Sequence, residues 1–210
     1  KEFIKEALNN GKDVVTANKA LLAEEGKDLF KLARQNKRNI YFEASVGGGI
    51  PIIKALREGL IANKFEAIYG IVNGTANFIL SQMQERKVSF AAALKEAKQR
   101  GFAEKNPFLD IEGIDSAHKL AVLAYLAFGK NIDLKDIFTE GISRIDLSDI
   151  EYANSLGLVI KLLAIAKKEN GLLEIRVHPT LIPKGHLLAS VNGVYNAIYV
   201  NSDLVGRLLF

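Results

Sequence analysis

Along the first part of the chain, apolar residues fall in short blocks whose spacing switches between that of a helix and that of a strand. Lys1 to Asn10 reads as the end of a helix closed by Asn9-Asn10-Gly11, and Asp13-Val14-Val15-Thr16-Ala17 as a short buried strand. Asn18 is placed to cap a second helix, Lys19 to Asn36, whose Leu21, Leu22, Leu29, Phe30 and Leu32 form one apolar stripe. Asn39 to Ala44 reads as the next strand. Helix, strand, helix, strand predicts a parallel α/β layer. Such a layer gathers its ligands at the carboxyl ends of the strands, here Thr16 to Lys19 and Glu43 to Gly49.

Beyond this layer the pattern becomes mixed. Gly47-Gly48-Gly49 breaks the second strand, and Pro51 opens a helix to about Ile61. Phe65 to Val72 alternates as a strand and runs into Asn73-Gly74-Thr75-Ala76-Asn77, after which Phe78 to Arg86 and Phe90 to Arg100 read as helices. Leu120 to Phe128 is apolar on every side, which predicts a buried helix ending at Gly129 with its polar first turn opening into the protein. Asp133 to Phe138 reads as a short helical piece, Tyr152 to Lys168 as a long apolar helix, and Leu172 to Leu181 and Tyr195 to Val200 as strands. The parallel layer is expected to give way to a mixed α/β unit at Ala44 to Gly49, dividing the chain into residues 1–44 and 45–210.

At 210 residues and 49% apolar content the chain can bury a substantial core, which excludes disorder. The absence of cysteine removes disulfides, thiolate nucleophiles and cysteine metal sites, and His118, His178 and His186 are too scattered for a zinc site. A net charge of +4 spread along the chain gives no basic stripe, so no nucleic acid is expected as a partner. The longest apolar runs, Leu120 to Phe128 and Leu156 to Ala166 with Lys161 inside it, fall short of the roughly 20 residues that span a bilayer. A soluble protein with no membrane partner is expected. The chain opens on Lys1, and Met83 is its only methionine, so the natural start is expected upstream.

The chemistry concentrates between Gly101 and Lys119. If the buried helix starts near Ile114, Asp115 and Lys119 share one face with Cβ atoms about 6 Å apart. Burial disfavours a charged lysine and a neighbouring aspartate favours it, and an ammonium balanced that way can pass a proton near neutral pH. Glu104, Asp110, Glu112 and Asp115 cluster around Pro107 and Gly113; a solvated acidic loop is the usual reading, but this one feeds straight into a buried helix. Lys19 at a helix start opposes the helix dipole, an unusual choice at a predicted ligand edge. Asn73-Gly74-Thr75 can cap a helix, present backbone amides to a substrate carboxylate or phosphate, or do both. Gly47-Gly48-Gly49 reads first as a tight strand end. With Glu43 nearby, it also reads as a turn whose carbonyls converge on a cation.

Taken together, Thr16 to Lys19, Phe42 to Ile53, Asn73 to Leu80, Glu104 to Lys119 and Arg176 to Leu181 resemble homoserine dehydrogenase, in order and over nearly the whole chain. The resemblance implies the remnant of a Rossmann-type parallel sheet (1–44) followed by a mixed α/β substrate-binding and dimerisation domain (45–210). It implies NAD- or NADP-dependent interconversion of L-aspartate 4-semialdehyde and L-homoserine in threonine, methionine and isoleucine biosynthesis, in a cytoplasmic homodimer. Lys119 would donate the proton, Asp115 would contact substrate and orient Lys119, and Lys19 would join them as a catalytic residue beside the nicotinamide nucleotide and substrate. Glu104 would hold the substrate amino group, with Asn73, Gly74 and Thr75 lining the pocket. Glu43 with the backbone of Val46, Gly48 and Ile50 would match the family's monovalent cation site, with sodium as the candidate ion. The G-x-G-x-x-G turn would lie before Lys1, and a glycine-rich turn and closing helix after Phe210. A non-catalytic substrate- or cation-binding dimerisation module is the alternative reading.

Overall fold

The computed structural model describes residues 1–210. Its first layer consists of α1 (Glu2–Asn9), β1 (Val14–Val15), α2 (Lys19–Gln35) and β2 (Ile40–Tyr41), with β1 and β2 parallel, Val14 facing Ile40 and Val15 facing Tyr41. The Asn18 side chain accepts the Leu21 amide and starts α2, which buries Leu22, Ala23, Leu29 and Ala33 on its apolar stripe. The parallel layer predicted from the sequence is therefore present.

A short 3₁₀ turn at Glu43–Ser45 leads to α3 (Ile52–Lys54), which continues as a π-helical turn over Ala55–Gly59. Then follow β3 (Phe65–Ile71), α4 (Gly74–Arg86), α5 (Phe90–Gln99), α6 (Phe108–Ile111), α7 (Ile114–Phe128), β4 (Phe138–Thr139) and α8 (Leu147–Ser155). β5 (Leu158–Glu169), β6 (Leu172–Pro183), β7 (Ala197–Ser202) and β8 (Gly206–Leu209) complete the chain. The six strands from β3 onward form one mixed sheet in the order β4-β6-β5-β3-β7-β8, parallel only between β4 and β6.

The long helix expected over Tyr152 to Lys168 is not formed. α8 ends at Ser155, and the apolar run that follows is β5, paired with β6 from Leu158–Pro183 to Glu169–Leu172. The strand is buried on both faces, so its sequence lacks the alternation that distinguishes a strand from a buried helix. Ile160, Leu162, Ala164 and Ala166 join a core of 41 buried residues, while Val159, Leu163 and Ile165 join a second cluster of 8 with Ile71 and Leu188. Asn170 and Gly171 close the hairpin at φ +51° and +79°, the conformation an Asn-Gly pair adopts most easily between antiparallel strands. The helical piece expected at Asp133 to Phe138 shrinks to a 3₁₀ turn at Leu134–Asp136, because Phe138 is drawn into pairing with Arg176 of β6.

The main core runs from Leu8 and Val14 in the first layer to Ile198 and Val200 in the sheet without interruption. Phe30 of α2 stacks on Tyr125 of α7 at 5.3 Å. The same packing of α2 on α7 brings Lys19, just past the carboxyl end of β1, against Asp115 at the amino end of α7. No helix is long and apolar enough to cross a membrane.

Candidate active site

α7 begins at Ile114, one residue before Asp115, so the predicted pairing with Lys119 forms within its first turns. Lys119 Nζ donates to Asp115 Oδ2 at 2.6 Å and to the Val72 carbonyl at the end of β3 at 2.5 Å. Lys19 Nζ, from the start of α2, lies 2.9 Å from the other carboxylate oxygen, Asp115 Oδ1. A single buried carboxylate thus sits between two ammonium groups that arrive from different layers.

Asn73 holds this arrangement in register. Its Oδ1 accepts the Ala76 amide at 2.8 Å and caps α4, which fixes the direction of the amide. The Asn73 NH₂ group must then face the two carboxylates, donating to Asp115 Oδ2 at 3.0 Å and Asp110 Oδ1 at 2.7 Å. Capping and site-building are therefore the same act for this residue.

Burial alone would raise the Asp115 carboxyl. The Lys119 charge and the hydrogen bonds from Lys119, Lys19 and Asn73 outweigh that effect and hold it below its ordinary value of 3.8. The carboxylate stays ionised and keeps both lysines oriented.

An open cleft of about 300 Å³ is lined by these groups together with Gly74, Thr75, Phe102 and Val194. Thr75 Oγ1 donates to the Phe102 carbonyl at 2.6 Å, tying the loop after α5 to the cleft. Gly74 admits no side chain, since a Cβ there would lie 2.7 Å from the Val194 carbonyl. Gly74→Ala is expected to push that segment outward and destabilise the fold by about 1–3 kcal/mol, read as a lower thermal midpoint; an unchanged midpoint would mean the Val194 segment yields freely.

Of the residues singled out from the sequence, Lys19, Asn73, Gly74, Thr75, Asp115 and Lys119 come together at this cleft. Glu104 does not line it: its residue is exposed on the loop, two positions past the anchored Phe102 carbonyl. Asp110, known from the sequence only as a member of an acidic cluster, takes part through Asn73; its signal was that cluster's placement ahead of a buried helix. Val194 had no such signal and enters through the close approach at Gly74.

Glu43 spends its carboxylate on the amides of Ile53 and Lys54, at 2.7 and 2.9 Å, capping α3. The Ile50 carbonyl accepts the Ile52 amide at 2.8 Å. No group of three or more His, Asp or Glu side chains is arranged to hold a metal ion.

The family model described as homoserine dehydrogenase matches residues 51–210, and that described as homoserine dehydrogenase, NAD binding domain, matches residues 1–43. The chain is 53% identical to the homoserine dehydrogenase of Neisseria gonorrhoeae over 210 residues, covering 100% of this chain and 48% of that protein. Identity to the homoserine dehydrogenase of Pseudomonas aeruginosa is 51% over 209 residues, again 100% of this chain and 48% of that protein. Among solved structures, the homoserine dehydrogenase of Thiobacillus denitrificans superposes with a TM-score of 0.97 at 51% identity, over 99% of this chain and 48% of that one. A hyperthermophilic archaeal homoserine dehydrogenase in complex with NADPH superposes with a TM-score of 0.84 at 32% identity, over 99% of this chain and 60% of that one. The chain spans about half the length of the curated relatives it matches.

Proposed function

Because the chain belongs to the homoserine dehydrogenase family, we propose that it carries the substrate-binding and proton-transfer half of an enzyme interconverting L-homoserine and L-aspartate 4-semialdehyde with NAD or NADP. The observation that carries this reading is the Asp115 carboxylate held between Lys19 and Lys119 at one cleft.

The nicotinamide nucleotide, when bound, supplies the hydride to the aldehyde carbon or accepts it from the alcohol carbon. Lys119 does the proton work: its ammonium gives a proton to the carbonyl oxygen as that oxygen gains charge, and its amine takes the hydroxyl proton in the reverse direction. Asp115 contacts substrate and keeps Lys119 aimed into the cleft. Lys19, at the carboxyl edge of the parallel layer, faces the nucleotide, and its contact with Asp115 fits that placement. Asn73, Gly74 and Thr75 shape the substrate pocket.

Residues 1–44 serve in this reading as the C-terminal part of a dinucleotide-binding domain and residues 45–210 as the substrate-binding and dimerisation domain. The division of the family matches at residues 43 and 51 supports it. The exposed apolar side chains of Tyr152, Leu156 and Leu181 support a homodimer. A monovalent cation such as sodium would lie at Glu43 and the backbone of Val46, Gly48 and Ile50, sharing the Glu43 carboxylate with the Ile53 and Lys54 amides, and a cytoplasmic setting accords with a biosynthetic reductase acting in threonine, methionine and isoleucine formation.

Glu104 would serve the substrate ammonium from the loop that Thr75 ties to the cleft through the Phe102 carbonyl. Glu104→Gln is expected to raise the KM for homoserine about tenfold with a smaller change in kcat, as removal of a binding contact does. An unchanged KM would remove Glu104 from the pocket.

The direct test is homoserine oxidation with NAD and with NADP, followed by nicotinamide absorbance, on these 210 residues and on the full-length protein that contains them. Turnover in the full-length protein supports the enzyme reading. Absence of turnover in both, with homoserine or sodium still bound, favours the binding-module alternative.

A further inference from the structure

Lys161 lies in the middle of β5 between Ile160 and Leu162 and is 1% exposed, the bulkiest fully buried side chain in the molecule. Its Nζ donates to the Val191 carbonyl at 2.6 Å, to Asn192 Oδ1 at 2.8 Å and to Asn77 Oδ1 at 3.3 Å. An ammonium has three N–H bonds, and these three oxygens use them all. Two of the acceptors belong to the segment between the 3₁₀ turn at Leu187–Ser190 and β7; the third belongs to α4.

The same segment is gripped twice more from α4. Asn77 Nδ2 donates to the carbonyls of Val191 and Tyr195 at 3.0 and 3.2 Å, and Ser81 Oγ accepts the Gly193 amide at 3.0 Å. The next residue, Val194, presses its carbonyl on Gly74 and forms one wall of the cleft that holds Asp115 and Lys119. A chain of direct contacts therefore runs from the middle of β5 to the substrate pocket.

We propose that Lys161 is a positioning residue whose buried ammonium ties residues 191–195 to α4 and thereby sets the Val194 wall of the substrate cleft. This rests on the homoserine dehydrogenase reading of that cleft. Burial pushes the Lys161 ammonium down to about 8, with Glu85 opposing the shift. An apolar side chain of similar length would avoid that desolvation and pack as well, but could not hold the loop. The neighbours in β5 are all apolar, so the lysine answers a need of the loop rather than of the sheet.

The test uses the full-length protein. Lys161→Met, which keeps length and removes the donors, is expected to raise the KM for homoserine about tenfold while kcat stays within about twofold, and to speed hydrogen exchange of the Gly193 amide, which Ser81 Oγ protects. Asn192→Ala removes one acceptor from an exposed residue and leaves the core untouched; it is expected to raise KM about threefold, with Asn192→Asp restoring the wild-type value. Wild-type KM in both Lys161→Met and Asn192→Ala would overturn the proposal. So would a lowered thermal midpoint with unchanged exchange at the Gly193 amide, the mark of a purely structural lysine. If Lys161→Met fails to fold, the Asn192 pair decides. Absence of homoserine turnover in the wild type would instead sink the dehydrogenase reading, and the exchange measurement would still show whether Lys161 holds the loop.

Discussion

Replacing Lys119 with alanine in the full-length protein is expected to lower homoserine turnover at least about a hundredfold, the usual scale of a lost general acid–base group. The fold should survive. Asp115 keeps Lys19 at 2.9 Å and Asn73 at 3.0 Å, so its charge remains compensated. The Val72 carbonyl loses one donor, a loss worth about 1 kcal/mol. Homoserine binding should change far less than turnover, because the ammonium acts on charge that develops only as the hydride moves. A variant with near-normal kcat would move the proton donor elsewhere and leave Lys119 as a structural partner of Asp115.

Asp115→Ala is expected to damage both stability and catalysis. The carboxylate is 8% exposed and Lys119 14%, so removing it strands a nearly buried cation. Breaking such a pair costs about 3 kcal/mol; the lower end of the range applies because Lys19 still reaches water. Turnover should fall with it, since the Val72 carbonyl would be left as the one remaining partner that orients Lys119. The pH dependence has a definite sign. The folded carboxyl lies below 3.8, so its contribution to stability is complete above that value and is lost as the pH falls through the folded pKa. Acid unfolding followed by circular dichroism should show a steeper loss below about pH 4 in the wild type than in Asp115→Asn. Parallel acid limbs would show that Asp115 is not the group whose protonation matters.

The central pair was legible because it depends on local spacing alone. A four-residue offset at the start of an apolar helix fixes which groups meet, wherever that helix packs. Asn18 and Asn73 were legible as caps for the same reason. What joins Lys19 to Asp115 is the packing of α2 on α7, which no spacing records; only the clash of a lysine with its own helix dipole hinted at it. β5 misled because burial on both faces erases the period-two signal, although Asn170-Gly171 marked the hairpin. Lys161 first registered only as an interruption of an apolar run. Its meaning depends on residues 191–195, which reach it through the tertiary fold.

The strand order has a consequence for how the protein acquires its shape. β5 and β6 are joined by a two-residue turn, so their hairpin can form on its own in about 1–10 μs. β3 cannot behave this way, because it pairs with β5 on one edge and β7 on the other, each far along the chain. Gly74 and the Val194 carbonyl meet only when both of these long loops have closed. The pocket is therefore expected to be among the last features to take form. During synthesis, the Asp115–Lys119 pair waits without its facing wall until the Val194 segment has emerged from the ribosome.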